Sequence, residues 1–412
     1  MPGSHRRMLP VAVAVAVAVV GLAACTPAPH QVTHVSEVRI GLLAPLSGTS
    51  AQLGRDAKRG AELAASVISD PSAPTPGLPG AGGGLPGLSG ATLTIVAGDT
   101  ADQVARGETQ AVHMATHGVA GLVSAGDTRV TAAASERTER LHVPFVSGDA
   151  PAGYLTERGM DWFFRTAPTD RMLGETLLSM LGQAPGGPPR RLGVVHTTDE
   201  VGNDAAAVLA SLADEAGDTI TATGAVRPGA TDARAAVGEV RAGRPDAVIA
   251  AAAQPGDAAR LLGGFRALGY RPPVLVGMGA GFAPPVVQAA AGLGVLRVTA
   301  WSAEPAARNP AASAVMAMYQ RDYGAPMSQP AAAAFTAVLT LAEAISQAHS
   351  TEPQQIRAAL LGLDLRGRDT IMPWRGIRFD QTGQNVLAAG VIEQLHQNTL
   401  RVVFPPELAA AT

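Results

Sequence analysis

Ile40-Gly-Leu-Leu-Ala-Pro-Leu-Ser-Gly-Thr-Ser-Ala-Gln-Leu-Gly54 is the stretch from which the fold of this chain can first be predicted. It belongs to a short apolar run, residues 38–43, that ends in Pro45, Ser47 and Gly48. An apolar run closed by turn-forming residues indicates a buried strand followed by a loop. Residues 54–68 then follow a helical pattern, so the sequence predicts a strand–loop–helix unit here.

Strands and helices alternate after this unit. Strands are predicted at 92–97, 121–124 and 144–147, with helices at 101–117 and 130–141 between them. Arg165-Thr-Ala-Pro168 interrupts the pattern, and a second series starts at 192–196 and continues through the strands 246–252 and 273–277. Strands alternating with helices of about 10–15 residues are typical of parallel sheets with helices on both faces. The two series predict an α/β protein of two doubly wound lobes.

The composition allows two or three domains and excludes one class of partner. The chain has 412 residues, of which 47% are hydrophobic and 16% are charged, and its formal net charge is −3. Domains usually contain about 100–200 residues. A negative net charge provides no basic footprint for nucleic acid, so no nucleic-acid partner is expected. Cys25 is the only cysteine, so the fold cannot depend on a disulfide within the chain.

The residues before the first strand predict an export signal. His5, Arg6 and Arg7 precede the apolar residues 11–24, which end in Leu22-Ala-Ala-Cys25. This order is typical of a secretory signal peptide. The ending resembles the bacterial lipobox, whose cysteine is lipidated and becomes the first residue of the mature protein. The alternative is an ordinary signal peptide with a chance cysteine. We expect a signal peptide at 1–24 and a lipidated, flexible tether at 25–37.

Residues 70–90 are the second unusual segment of the sequence. They are rich in proline and glycine and carry almost no charge. Such composition is typical of a loop, so we predict a mobile surface insertion there.

Several motifs resemble those of the leucine/isoleucine/valine-binding proteins, a family with the type I periplasmic binding protein fold that supplies ABC importers. The opening stretch at 40–54 resembles the start of these proteins. The later motifs occur in the family's order along residues 38–404; they are Val143-Pro-Phe-Val-Ser147, Leu155-Thr156, Phe164-Arg-Thr-Ala-Pro168, Tyr319 to Gly324 with Ala333, Phe335 and Ala337, and Gly376-Ile-Arg-Phe-Asp380 with Gly383.

The resemblance implies two α/β lobes joined by three crossover segments, with the ligand between the lobes. The crossovers are expected near 165–168, near Trp301 and near 366–374. Lobe one would contain 38–165 plus 302–366, and lobe two would contain 168–300 plus 375–404. Ligands of open α/β sheets bind outside the carboxyl ends of the strands, and closure of the two lobes is a hinge motion.

The resemblance also selects two ligand-binding loops of lobe one. Asp127 and Thr128 lie in the first loop, and Asp149, Ala150 and Pro151 lie in the second. Amino-acid binders of the family hold the ligand carboxylate here with backbone N–H groups and hydroxyls at a helix N-terminus. Pro151 has neither group, and each aspartate adds an acceptor where an anion would bind. Both aspartates could instead cap the turns that follow them.

The positions expected to complete the site depart from the family pattern as well. Val201 stands where a tyrosine is common, another tyrosine is missing near Gln254, and Gly279 aligns with the acidic residue that binds the amino group. The aromatic residue sometimes found near Leu53 is also absent. We therefore expect a ligand other than a standard α-amino acid, with a cationic, amide-bearing or hydroxyl-rich solute favoured by the two carboxylates.

The sequence provides little support for catalysis, a metal or a cofactor. His113 and His117 have helical i, i+4 spacing, but Met114 stands where a zinc-protease motif requires glutamate. The glycines of 82–87 precede a strand instead of following one, which fails the test for dinucleotide binding. Leu122 replaces the first glycine of the GxSxG elbow.

These observations predict a monomeric, lipid-anchored solute-binding protein that works with an ABC permease at the membrane and is not an enzyme. A ligand-sensing or orphan receptor of the same fold is the alternative. A neighbouring permease and ATPase gene pair would favour transport, and a neighbouring kinase gene would favour sensing.

Overall fold

The computed structural model of the protein describes Gly3 and residues 35–73, 75, 77–183 and 191–409. Cys25, the predicted signal peptide apart from Gly3, and most of the predicted tether lie outside the described residues. The following account concerns the folded body from Val35 onward.

The first sheet contains five parallel strands in the order β2-β1-β3-β4-β5. They are β1 (Glu37–Ala44), β2 (Thr92–Asp99), β3 (Gly121–Ser124), β4 (Phe145–Ser147) and β5 (Phe163–Arg165). Ile40 and Leu42 pack on one face of the central strand β1, and Leu43 packs on the other. A strand buried on both faces needs a continuous apolar run, which explains why residues 38–43 do not alternate with polar residues.

Helices cover both faces of this sheet. α2 (Val104–Thr116) and α3 (Thr128–Arg140) pack on one face, and α1 (Ala51–Ser69) packs with α11 (Gln329–Ala348) on the other. Gly60 allows these two helices to approach closely, because a Cβ there would lie 2.0 Å from the Ala331 carbonyl oxygen. The remaining helices of this lobe are α9 (Ala303–Ala306), α10 (Pro310–Tyr323) and α12 (Pro353–Leu361).

Helix α11 is the core helix of this lobe. Among the described residues it is the one helix long and apolar enough to cross a membrane, but 83% of its most apolar window is buried inside the protein. Its hydrophobicity is therefore explained by contacts with α1, β3 and β4.

The second sheet contains seven strands in the order β14-β13-β10-β9-β8-β6-β7. Five adjacent strands are parallel; they are β6 (Arg191–Thr197), β7 (Thr219–Val226), β8 (Ala247–Ala251), β9 (Val274–Met278) and β10 (Leu296–Thr299), and β7 lies at one edge of the sheet. The antiparallel hairpin of β13 (Val391–His396) and β14 (Thr399–Phe404) extends its edge. The helices are α4 (Asp170–Gly182), α5 (Glu200–Ala216), α6 (Arg234–Ala242), α7 (Pro255–Ala267) and α8 (Pro284–Ala289). The predicted α/β architecture of two parallel-sheet lobes is confirmed.

The third connection between the sheets differs from the expectation. β11 (Asp364–Arg366) and β12 (Gly376–Arg378) form a separate antiparallel pair. Ile377, Phe379 and Ala388 pack in the core of the first lobe, and the chain joins the second sheet only at Val391. The assignment of the whole of 375–404 to lobe two therefore requires correction, because apolar side chains up to Ala388 are buried against lobe one.

Residues 70–90 also differ from the expectation. Leu78 and Leu85 are buried in the core of the first lobe. The Gly87 backbone N–H donates to Ser346 Oγ at 3.0 Å, which holds the segment against the end of α11. The segment is therefore attached to the core by two leucines among its prolines and glycines, and its mobility stays a prediction.

Two helix boundaries differ from the prediction for local reasons. α2 begins at Val104 instead of residue 101, because Ala101 and Asp102 have φ of 48° and 56°, outside the right-handed helical region. α3 begins at Thr128 because Asp127 caps it.

We expect Leu85→Ala to destabilise the protein by about 2–5 kcal/mol, because it removes a buried leucine side chain. Urea unfolding would measure the loss, and Leu141→Ala is the matched control, since Leu141 is 41% exposed. Equal losses in the two variants would show that residues 70–90 do not contribute to the core.

Candidate functional site

The loop after β3 uses its aspartate to begin a helix. Asp127 Oδ1 accepts hydrogen bonds from the backbone N–H groups of Arg129 at 2.8 Å and Val130 at 3.4 Å. This is the N-cap geometry that stabilises the first turn of a helix. Thr128 is buried beside it, and its Oγ1 has no hydrogen-bond partner within the described residues. The capping role considered for Asp127 is thus observed, and its contact with a ligand stays a prediction.

The loop after β4 presents its aspartate differently. Asp149 makes no cap; its side-chain hydrogen bond comes from Gln329 Nε2 at 3.4 Å, at the start of α11. Asp149 is half-buried, and burial raises the pKa of its carboxyl group, an effect that the Gln329 hydrogen bond partly offsets. The alternative that Asp149 caps the turn before Tyr154 was wrong, because α11 supplies a donor 180 residues away in sequence.

Ala150 and Pro151 have backbone carbonyl groups that are already occupied. The Ala150 carbonyl accepts a hydrogen bond from Arg165 Nη1 at 3.1 Å. The Pro151 carbonyl accepts one from the Asp170 backbone N–H at 2.9 Å. Asp149 adds a side-chain acceptor to this loop beside these carbonyl groups.

Arg165 holds this loop from within the protein. It is completely buried, and its guanidinium donates to the carbonyls of Ala150 and Ala152, to Thr156 Oγ1 and to Gln384 Oε1. Burial lowers its pKa to about 10. Because this value is still above neutral pH, the group stays charged and its donors stay committed to the loop.

The predicted residues of lobe two and α1 lie at the starts of helices. Val201 is half-buried in the first turn of α5, Leu53 is half-buried in the first turn of α1, and Gln254 precedes α7. Gln254 Nε2 donates a long hydrogen bond of 3.5 Å to Ser50 Oγ, which precedes α1 in the other lobe. The structure thus brings Gln254 and α1 together across the cleft.

Gly279 lies in a conformation that excludes the acidic side chain of the family pattern. Its φ is +96°, a value that favours glycine. A Cβ at this position would lie 2.6 Å from the Ala252 carbonyl oxygen. The backbone of this protein therefore has no room for a carboxylate side chain at position 279.

The two lobes touch at three places along the cleft. Ser50 contacts Gln254, and Tyr154 Oη donates to Glu200 Oε1 at 2.9 Å, reinforced by Arg129 at 3.9 Å from Glu200. Thr299 Oγ1, at the end of β10, donates to Gln329 Oε1. Burial is the main cause that raises the pKa of both Tyr154 and Glu200. Side chains of opposite lobes are therefore within hydrogen-bond distance of one another.

Sequence reasoning missed most of these cross-lobe residues. Gln329, Thr299, Glu200 and Tyr154 belong to no motif, and all four contact residues far away in sequence. Of these four residues, Gln329 is the one that the sequence could have marked as a candidate, because it is a polar residue at the start of the apolar helix α11.

Metal-binding chemistry finds no support in the part of the chain that the structure describes. No group of three potential ligands is assembled there. The rings of His113 and His117 stack with centroids 4.1 Å apart on an exposed helix face.

Asp170 is a buried carboxyl group that follows the first crossover. It is 3% exposed, and its Oδ2 has no hydrogen-bond partner within the described residues. Burial, with a smaller contribution from Asp204, raises its pKa to about 7, and Arg165 acts in the opposite direction. The folded protein therefore keeps a proton on Asp170 at pH values where an unfolded chain has lost it.

Asp170→Asn is expected to become more stable relative to the unsubstituted protein as pH rises from about 4 to about 7. In this window the folded state binds more protons than the unfolded state, so stability of the unsubstituted protein falls with increasing pH. Urea unfolding at several pH values measures the difference, with Asp364→Asn as an exposed control. A stability difference that does not vary with pH would contradict this assignment.

Comparisons with known proteins agree with this architecture. A sequence profile described as periplasmic binding protein matches residues 37–394. A Leu/Ile/Val-binding protein homolog 8 from Brucella abortus is 26% identical over 391 residues, covering 92% of this chain and 93% of that protein.

Solved structures show the same fold. A leucine-binding protein from Thermotoga maritima superposes with a TM-score of 0.73 at 18% identity, covering 89% of this chain and 97% of its own. A branched-chain amino acid substrate-binding protein from Streptococcus pneumoniae, in complex with isoleucine, superposes with a TM-score of 0.71 at 21% identity, covering 90% and 100%. Since the family profile spans most of the chain, this protein belongs to the periplasmic binding protein family and has its type I fold.

Proposed function

We propose that this protein is an extracytoplasmic, lipid-anchored solute-binding protein that captures a small polar solute between its lobes and delivers it to an ABC permease. The observation that carries the proposal is the cleft, where loops at the carboxyl ends of both sheets face one another. Asp149, Gln254 and the buried hydroxyl of Thr128 supply polar groups there. Binding and release, without catalysis, are the functions that this arrangement supports.

Closure of the two lobes is the proposed mechanism of capture. A solute that enters the open cleft would be enclosed when Tyr154 meets Glu200 and Ser50 meets Gln254. A ligand stabilises the closed state only by the extra affinity that it has for that state. The solute would add to the stabilisation that the polar contacts between the lobes provide, and the permease would recognise the closed form.

The ligand is proposed to differ from leucine, isoleucine and valine, despite the names of the relatives. Two features support this: Pro151 has no N–H group, and Gly279 has no room for a side chain. Asp149 adds a carboxyl group to the loop where a ligand carboxylate would bind, which disfavours an anionic group. A cationic, amide-bearing or hydroxyl-rich solute fits these groups better.

Isothermal titration calorimetry with leucine, isoleucine and valine tests the change of ligand. We expect no binding tighter than the millimolar range, because a ligand carboxylate would face Asp149 and lose a backbone donor at Pro151. Micromolar or tighter binding of any of the three would refute the altered-ligand proposal and would leave the solute-binding function standing.

Cys25→Ala tests the proposed anchor. The variant should appear in the soluble extracytoplasmic fraction, because a lipid chain on Cys25 is the proposed attachment, while its solute affinity should be unchanged. Fractionation of host cells and immunoblotting would measure the distribution. A Cys25→Ala protein that stays fully membrane-bound would exclude the lipobox assignment.

A further inference from the structure

Asp149 has an unusual environment for a carboxyl group. It is held in the cleft by a single side-chain hydrogen bond, the 3.4 Å contact from Gln329, and part of its surface stays accessible. Burial is the main influence on the pKa of its carboxyl group, and it raises this pKa. A buried ionised carboxylate is costly unless a cation or several hydrogen-bond donors compensate it.

The arginines of this region are already engaged with other acceptors. Arg165 donates to carbonyl groups, to Thr156 and to Gln384. Arg129 lies against Asp127 and Glu200. Among the described residues, no charged group contributes to the pKa shift of Asp149, so its charge is left without a cationic partner from the protein.

Gln329 keeps Asp149 oriented and connects it to the other lobe. Its Nε2 donates to Asp149, and its Oε1 accepts from Thr299 Oγ1 at the end of β10. Because both ends of the amide are bound, its donor end is directed to Asp149. The chain Thr299–Gln329–Asp149 reaches from the end of a lobe-two strand to a lobe-one loop.

Asp127 cannot serve the same purpose, although it is also a carboxylate at the cleft. It accepts two backbone N–H groups of α3 and lies 3.3 Å from Arg129 Nε. Its charge is therefore compensated by the protein. Of the two aspartates in the lobe-one loops, Asp149 is the one to which the described residues offer no cationic partner, so a cation from the solute would favour its ionised form.

We propose that Asp149, oriented by Gln329 and Thr299, is the subsite for a positively charged nitrogen of the solute, an ammonium or guanidinium group. This inference rests on the proposed solute-binding function and specifies its substrate class. In the family pattern, an acidic residue of lobe two, at the position of Gly279, binds the ligand's amino group. Because Gly279 excludes a carboxylate, Asp149 in the lobe-one loop after β4 would bind the cation instead. A neutral amide or hydroxyl would hydrogen-bond to Asp149 without compensating the charge of its ionised form.

Thermal unfolding of the full chain in detergent, freed of bound solute by unfolding and refolding, tests this proposal. The probes are two fractions of a small-molecule extract from the host, separated on a cation-exchange resin at neutral pH. We expect the retained, cationic fraction to raise the melting temperature, because a ligand that binds only the folded state stabilises it. The unretained fraction should leave the melting temperature unchanged.

Asp149→Asn and Asp149→Glu provide the matched variants, with Asp364→Asn as the exposed control. Asparagine should abolish the response to the cationic fraction, glutamate should retain part of it, and the control should respond like the unsubstituted protein. With the active compound purified, Asp149→Asn should weaken its affinity on the order of tenfold to a hundredfold, as expected for loss of a charge-assisted hydrogen bond. Unfolding temperatures without probe would verify that each variant folds.

The possible results separate failure of the proposed cation subsite from failure of the proposed solute-binding function. Stabilisation by the unretained fraction, or an undiminished response of Asp149→Asn, would overturn the cation subsite while supporting solute binding. Stabilisation by neither fraction would contradict the proposed function and this inference with it.

Thr299 and Gln329 are positioning residues, and a separate pair of variants tests their role. Thr299→Val removes the hydroxyl that holds Gln329, and Thr299→Ser keeps it. Affinity for the purified cationic compound should fall in the valine variant and recover in the serine variant. Equal affinities in both would show that Thr299 does not orient the subsite.

Discussion

The burial of the Arg165 guanidinium is the constraint on which the cleft depends. A buried charge is tolerated only where hydrogen bonds compensate for lost water, and Arg165 obtains them from two separate parts of the chain. Ala150, Ala152 and Thr156 belong to the loop after β4, and Gln384 belongs to the third connection between the sheets. The backbone reinforces this link, because Arg165 N–H donates to the Gly383 carbonyl at 2.8 Å and Asn385 N–H donates to the Arg165 carbonyl at 3.0 Å. The first and third connections between the sheets are therefore joined to each other by hydrogen bonds.

This arrangement determines what the cleft can offer a ligand. Arg165 donates to the Ala150 carbonyl and the Asp170 N–H donates to the Pro151 carbonyl, so these bonds hold the backbone of the loop in place. Asp149 is the carboxyl group of this loop to which the described residues offer no cationic partner. Arg165 supports this loop from within the protein, and the loop carries Asp149. Arg165 therefore has a structural role, whereas Asp149 has the proposed binding role.

The sequence predicted the fold well because its signals are local. Apolar runs such as 38–43 predict strands buried on both faces. The position of Asp127, just before a helical segment, predicts that it is a helix N-cap. Interactions between distant residues were not predictable in the same way. Gln329 lies 180 residues from Asp149, and Ser346 lies 259 residues from Gly87. Composition was misleading for residues 70–90, because two leucines determine the packing of a segment dominated by proline and glycine. The boundary near residue 375 was misplaced for a related reason, since motif order does not report which core buries Ile377 and Phe379.

Native mass spectrometry of the full-length protein, purified from its own host in detergent, tests the central claim most directly. The account predicts a complex of one protein chain with one small solute, whose mass and fragmentation identify a positively charged nitrogen compound. A chain that carries no solute under gentle release conditions, and that gains none from the host's small-molecule extract, would contradict the claim that this cleft captures a solute.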